Sequence, residues 1–97
     1  MKAIFITYDQ AHHEDVVQVL SRSNQRGYTY WSDIQGKGSV KGEPHLGSHA
    51  WPATNAAIMT VTTDEKVEPI LERLSTLNES KPRLGLRAFV LPVEKSI

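Results

Sequence analysis

The chain opens on a β-branched and aromatic run, residues 2–8 (Lys-Ala-Ile-Phe-Ile-Thr-Tyr), which reads as a strand. The period then changes. Val16, Val17 and Leu20 recur at helical spacing behind Asp9, whose carboxylate can cap a helix running to about residue 26. His13 and Asn24 fall on the same inner face, and Gly27 stands where a helix commonly ends in a left-handed residue. Residues 28–35 form a second strand, residues 37–53 a loop, and Asn55–Thr62 a third strand. Thr62 and Glu65 stand at capping-box spacing, with Thr63 and Asp64 as alternative caps. Val67, Ile70, Leu71, Leu74 and Leu77 then mark a second helix, with Pro69 near its start and Ser80-Lys81-Pro82-Arg83 breaking it. Residues 86–93 are the last strand, and Pro92 marks its end or an edge position.

Strand, helix, strand, strand, helix, strand, with right-handed crossovers, predicts an α/β (α+β) fold. It is a ferredoxin-like βαββαβ sandwich, a four-stranded antiparallel sheet with two helices on one face, in a single domain over residues 1–97. Yet the strands are apolar on both sides: Ile4 and Ile6 oppose Ala3 and Phe5, and Ala88 and Val90 oppose Phe89 and Leu91. Two helices cover one face only, so the pattern predicts a second subunit over the other, in a closed ring rather than an open stack.

Composition narrows the chemistry. The chain lacks cysteine, which removes disulfides, thiolate metal sites and cysteine nucleophiles. Its leading apolar run is too short for a signal peptide or a membrane span, so a cytoplasmic protein without membrane insertion is expected. Eleven basic and eleven acidic side chains cancel, so no global field attracts nucleic acid and an anion site must be built locally. No nucleophile–base spacing or framed carboxylate pair points to an enzyme. Arg87-Ala88-Phe89-Val90 faintly echoes the aromatic signature of the RNA recognition motif, but on the last strand rather than the third.

A local anion site does have a candidate. The second strand runs into Gly36-Lys37-Gly38-Ser39-Val40-Lys41-Gly42, three glycines and two lysines in seven residues. Glycines open the backbone N–H groups to a ligand and lysines add charge suited to phosphate. His45 and His49 follow before Trp51, with Glu43 nearby. Imidazoles from symmetry-related loops can pool as ligands for a divalent metal; two from one chain do not close a site, and solvated or hydrogen-bonded histidines are the plainer reading. His12 and His13 sit about 100° apart on a helix and cannot easily share a ligand set, while Glu14 and Asp15 suit the helix N-terminus without further purpose.

These residues resemble the PII signalling proteins and their PII-like relatives. The resemblance spans nearly the whole chain. It includes Gly27-Tyr28-Thr29 entering the second strand, the 36–42 glycine–lysine segment, and Leu86-Arg87-Ala88-Phe89-Val90 late in the chain. It implies a homotrimer with sheets packed around a threefold axis and adenine nucleotides, ATP or ADP, in clefts between subunits. It also makes residues 37–53 a T-loop that docks onto a regulated partner, a membrane transporter or a metabolic enzyme. Thr29 matches a threonine near the adenine. Gly36, Gly38, Lys41 and Gly42 match the loop base whose backbone receives phosphates, with Lys37 among them, and Arg87 matches a basic residue that reaches phosphate.

The match is partial. Ser39-Val40 replace an Arg-Gln pair, no arginine pair follows the last strand, and the loop is shorter and lacks the tyrosine used for uridylylation. Each missing charge-assisted bond to phosphate removes roughly 1.5–3 kcal/mol, so ATP binding weaker than in typical members is expected. Some PII-like groups accompany heavy-metal efflux pumps, and the related CutA trimers are linked to divalent metals. The resemblance therefore implies a nucleotide- or anion-binding regulatory module, with a metal-binding or metal-tolerance module on His45 and His49 as the alternative.

Overall fold

Burial along the first strand follows a period of two. Ile4, Ile6 and Tyr8 are fully enclosed, whereas Phe5 and Thr7 on the other side are partly open. A computed structural model of the chain, which describes residues 1–36 and 54–97, gives the reason. Its elements are β1 (Lys2–Asp9), a 3₁₀ turn (Gln10–His12), α1 (His13–Arg22), β2 (Thr29–Ile34), β3 (Asn55–Thr62), α2 (Asp64–Ser80) and β4 (Arg87–Pro92). Among the described residues the strands form one antiparallel sheet in the order β2-β3-β1-β4. Both helices lie on one face, so the fold is the expected ferredoxin-like α+β sandwich.

The core lies between sheet and helices. Ile4, Ile6, Tyr8, Ala56 and Ile58 meet Val16 and Leu20 of α1 and Ile70 and Leu74 of α2. Leu84 and Leu86 close one end, with Gly85 between them at φ +58°, a left-handed turn that glycine adopts without steric cost. No helix of the described residues is long and apolar enough to cross a membrane.

The structure corrects three local expectations. Asp9 caps the 3₁₀ turn, accepting from the Ala11 N–H at 2.9 Å, and α1 stops at Arg22 rather than near residue 26. The left-handed residue beyond that helix is Asn24 (φ +56°), not Gly27, and an asparagine tolerates the conformation because its side chain is short and polar. Asn24 is consequently exposed, and Gln25 is the side chain that turns inward. Finally, Thr63 occupies the N-cap position of α2 without a side-chain bond, so the Thr62–Glu65 capping box does not form. The helix runs unbroken through Pro69, which lies in its N-terminal half.

Candidate functional site

One end of the sheet gathers the features that frame residues 37–53. On β2, Trp31 faces Ala57 and Ile34 faces Asn55, so three steps along one strand match two along the other. The extra residue is a β-bulge, and Asp33 within it has φ +55°. The Gln10 side chain meets it twice: Nε2 donates to the Asp33 carboxylate at 3.0 Å, and the Asp33 N–H donates to Oε1. The Gln10 backbone N–H donates to the Thr54 carbonyl at 3.0 Å. Gly36 lies against Asn55, and a Cβ added to Gly36 would overlap the Asn55 amide. Gly36 is not left-handed, and any larger residue there would have to displace the Asn55 amide.

Three predicted site residues lie among those described. Thr29 and Arg87 are both exposed, but they sit on β2 and β4, the two opposite edges of the sheet. Three interstrand steps separate those edges, about 14 Å at a spacing of ~4.8 Å. One chain therefore does not bring Thr29 and Arg87 together. Gly36 stands at the end of β2 that adjoins Asn55. Lys37, Gly38, Lys41 and Gly42, and the candidate metal ligands His45 and His49, fall outside the described residues. No three histidine, aspartate or glutamate side chains gather as metal ligands among the described residues. His12 lies 3.4 Å from Asp15, while His13 turns to two tyrosines instead.

Between the two edges the sheet face away from the helices is apolar. Trp31, Met59, Phe5, Phe89 and Leu91 lie on it, with Phe89 55% and Trp31 43% exposed, and Phe5 packs edge-on to Trp31 with ring centroids 6.4 Å apart.

On the helix side, His13 joins three elements. Its Nδ1 lies 2.6 Å from the Tyr8 hydroxyl, and its ring stacks on Tyr30 with centroids 3.9 Å apart. Burial, reinforced by Tyr30 and Tyr28, pushes the Tyr8 hydroxyl far above the usual phenol range, so it stays protonated and donates. Burial also lowers the His13 pKa, outweighing the opposing Glu14 carboxylate, and this lowering favours a neutral ring with Nδ1 accepting. The site-framing residues Gln10, Asp33 and Asn55 were not legible in sequence. The only signal was an aspartate inside a strand, a residue type that tolerates left-handed backbone.

The family model for nitrogen regulatory protein P-II matches residues 1–97. The chain belongs to this family. Solved structures of P-II-like proteins share its fold. CPII, a nitrogen regulatory PII-like protein from Thiomonas intermedia K12 bound to ADP, AMP and bicarbonate, aligns with a TM-score of 0.73 and 25% identity, over 92% of this chain and 86% of that one. The apo form of CPII aligns with a TM-score of 0.68 at 22% identity, over 95% of this chain and 89% of that one. A protein of Thermus thermophilus described as PII-like signalling aligns with a TM-score of 0.67 at 24% identity, over 93% and 83% of the two chains. No curated protein sequence matches the chain.

Proposed function

We propose that this P-II family chain is a regulatory module that binds an adenine nucleotide between subunits and signals to a partner protein through residues 37–53. The arrangement is a homotrimer in which the β2 edge of one chain, with Thr29 and Gly36, meets the β4 edge of another, with Arg87. The observation that carries the reading is the placement of Thr29 and Arg87 on opposite edges of a sheet whose open face is apolar. Residues on opposite edges do not wall one compact cleft within a single chain, whereas the edges of two chains can meet, and the apolar face gives those chains a reason to associate. CPII, bound to ADP, AMP and bicarbonate, lends the ligand class: a nucleotide with a small anion beside it. Lys37, Gly38, Lys41 and Gly42 supply backbone donors and charge for phosphate, and Arg87 supplies a guanidinium. A transporter or metabolic enzyme is the regulated partner, and the chain performs no catalysis of its own.

Calorimetric titration of the parent and of Arg87→Ala with ADP and ATP, bicarbonate present, tests the reading. The expected result is micromolar binding to the parent, weakened by at least about tenfold in the variant, the loss of one charge-assisted bond. Absence of heat at millimolar nucleotide overturns it.

A further inference from the structure

The 3₁₀ turn after β1 does more than lead into α1. Gln10 reaches both strands from which residues 37–53 leave and to which they return. Its side chain pairs with Asp33 near the end of β2 through two hydrogen bonds, and its backbone N–H donates to the carbonyl of Thr54, the residue before β3. The Asp33 side of this pairing is a left-handed residue in a bulge, a conformation an L-aspartate adopts at a steric cost. A regular ladder, without the bulge, would set Asp33 rather than Ile34 opposite Asn55. That slip of one residue turns each following side chain of the strand to the other face and shifts Gly36 away from its contact with the Asn55 amide. The Gln10 amide favours the bulged register, because it satisfies the N–H and the carboxylate of Asp33 together.

We infer that Gln10 is a positioning residue for the nucleotide site: it selects the bulged register of β2 and so sets Gly36 against Asn55. The inference rests on the nucleotide reading above, and Gln10 itself touches no ligand in it. Its chemistry allows a swap of donor and acceptor. In Gln10→Glu the introduced carboxylate faces the Asp33 carboxylate, loses the Nε2 donor and repels. In the double variant Gln10→Glu with Asp33→Asn, the introduced amide donates to the introduced carboxylate, which still accepts the backbone N–H of position 33. Asparagine also tolerates the left-handed backbone.

The test measures ADP affinity by calorimetry and amide hydrogen exchange over residues 33–36 in the parent and both variants. The expected result is about tenfold weaker ADP binding in Gln10→Glu, the loss of one hydrogen bond to a charged group, with faster exchange at 33–36. The double variant should return both quantities to the parent's range, a rescue that general destabilisation would not produce. Parental ADP binding that is unchanged in Gln10→Glu overturns the positioning role. Parental protein that binds no ADP overturns the nucleotide reading instead, and exchange then decides the clamp by itself: faster exchange in the single variant supports it, and unchanged exchange overturns it.

Discussion

Thr60 and Thr62 sit two residues apart on the helix-facing side of β3, both buried, and their hydroxyls have opposite fates. Thr60 Oγ1 accepts from Gln25 Nε2 at 2.6 Å and donates to the Gly27 carbonyl at 2.6 Å, and Gln25 Nε2 also reaches the Val61 carbonyl at 2.8 Å. Thr62 Oγ1 is buried without a hydrogen-bond partner. Replacing each by the near-isosteric valine separates the two cases. Thr60→Val removes the bonds to Gln25 and to the Gly27 carbonyl and should cost about 1–3 kcal/mol in urea denaturation, whereas Thr62→Val removes an orphan hydroxyl and should be neutral or stabilising. Nothing in the sequence distinguished these threonines, since both read as β-branched strand residues. The partners of Thr60 come from the α1–β2 connection, whose path depends on Asn24 adopting a left-handed turn before Gln25. Gly27 was the natural candidate for that conformation, and a sequence pattern has no means of choosing between them three residues apart.

At the scale of elements, the order and type of the four strands and two α-helices among the described residues were legible, because periodicity survives errors of a few residues at the ends; the 3₁₀ turn at Gln10–His12 was not. β3 matches its expected bounds, and Val67, Ile70 and Leu74 of α2 are the buried side chains that the spacing selected. The bulge in β2 was not legible, because it depends on Gln10, a contact 23 residues away in sequence. The His13 cluster is a second long-range tie, joining the start of α1 to Tyr8 on β1 and Tyr30 on β2. Its electrostatics set a pH dependence. The folded pKa is lowered below the ordinary 6.5, so the unfolded chain takes up the proton first as pH falls. The His13 contribution to stability is therefore complete above about pH 6.5 and declines as the solution is acidified below that value. Denaturant midpoints measured at pH 7.5 and 5.5 should fall more steeply in the parent than in His13→Phe, which keeps an aromatic ring against Tyr30 but cannot titrate. Equal slopes would show that His13 carries no part of the acid sensitivity.

Across the whole molecule, the informative conflict was already in the sequence: strands apolar on both sides in a fold whose two helices cover only one. Ala3, Phe5, Phe89 and Leu91 announced the second face. The alternation alone could not locate Thr29 and Arg87 relative to each other, because that depends on the strand order β2-β3-β1-β4. Once the order is known, the proposed nucleotide cleft and the assembly become one property, since each cleft is completed by a second chain. Phe89, more than half exposed and in register with Phe5 at the middle of β1, is the side chain whose replacement tests both. A glutamate there places a charge in the proposed apolar interface, where an unpaired charge is strongly disfavoured. It leaves Thr29, Gly36 and Arg87 untouched. The deciding measurement is sedimentation velocity of the parent and of Phe89→Glu with ADP, following protein and nucleotide together. ADP should co-sediment with an oligomer of the parent, and Phe89→Glu should sediment as a folded monomer without it. ADP carried by a monomer, or an oligomer that carries none at millimolar nucleotide, would contradict the proposed cleft between chains.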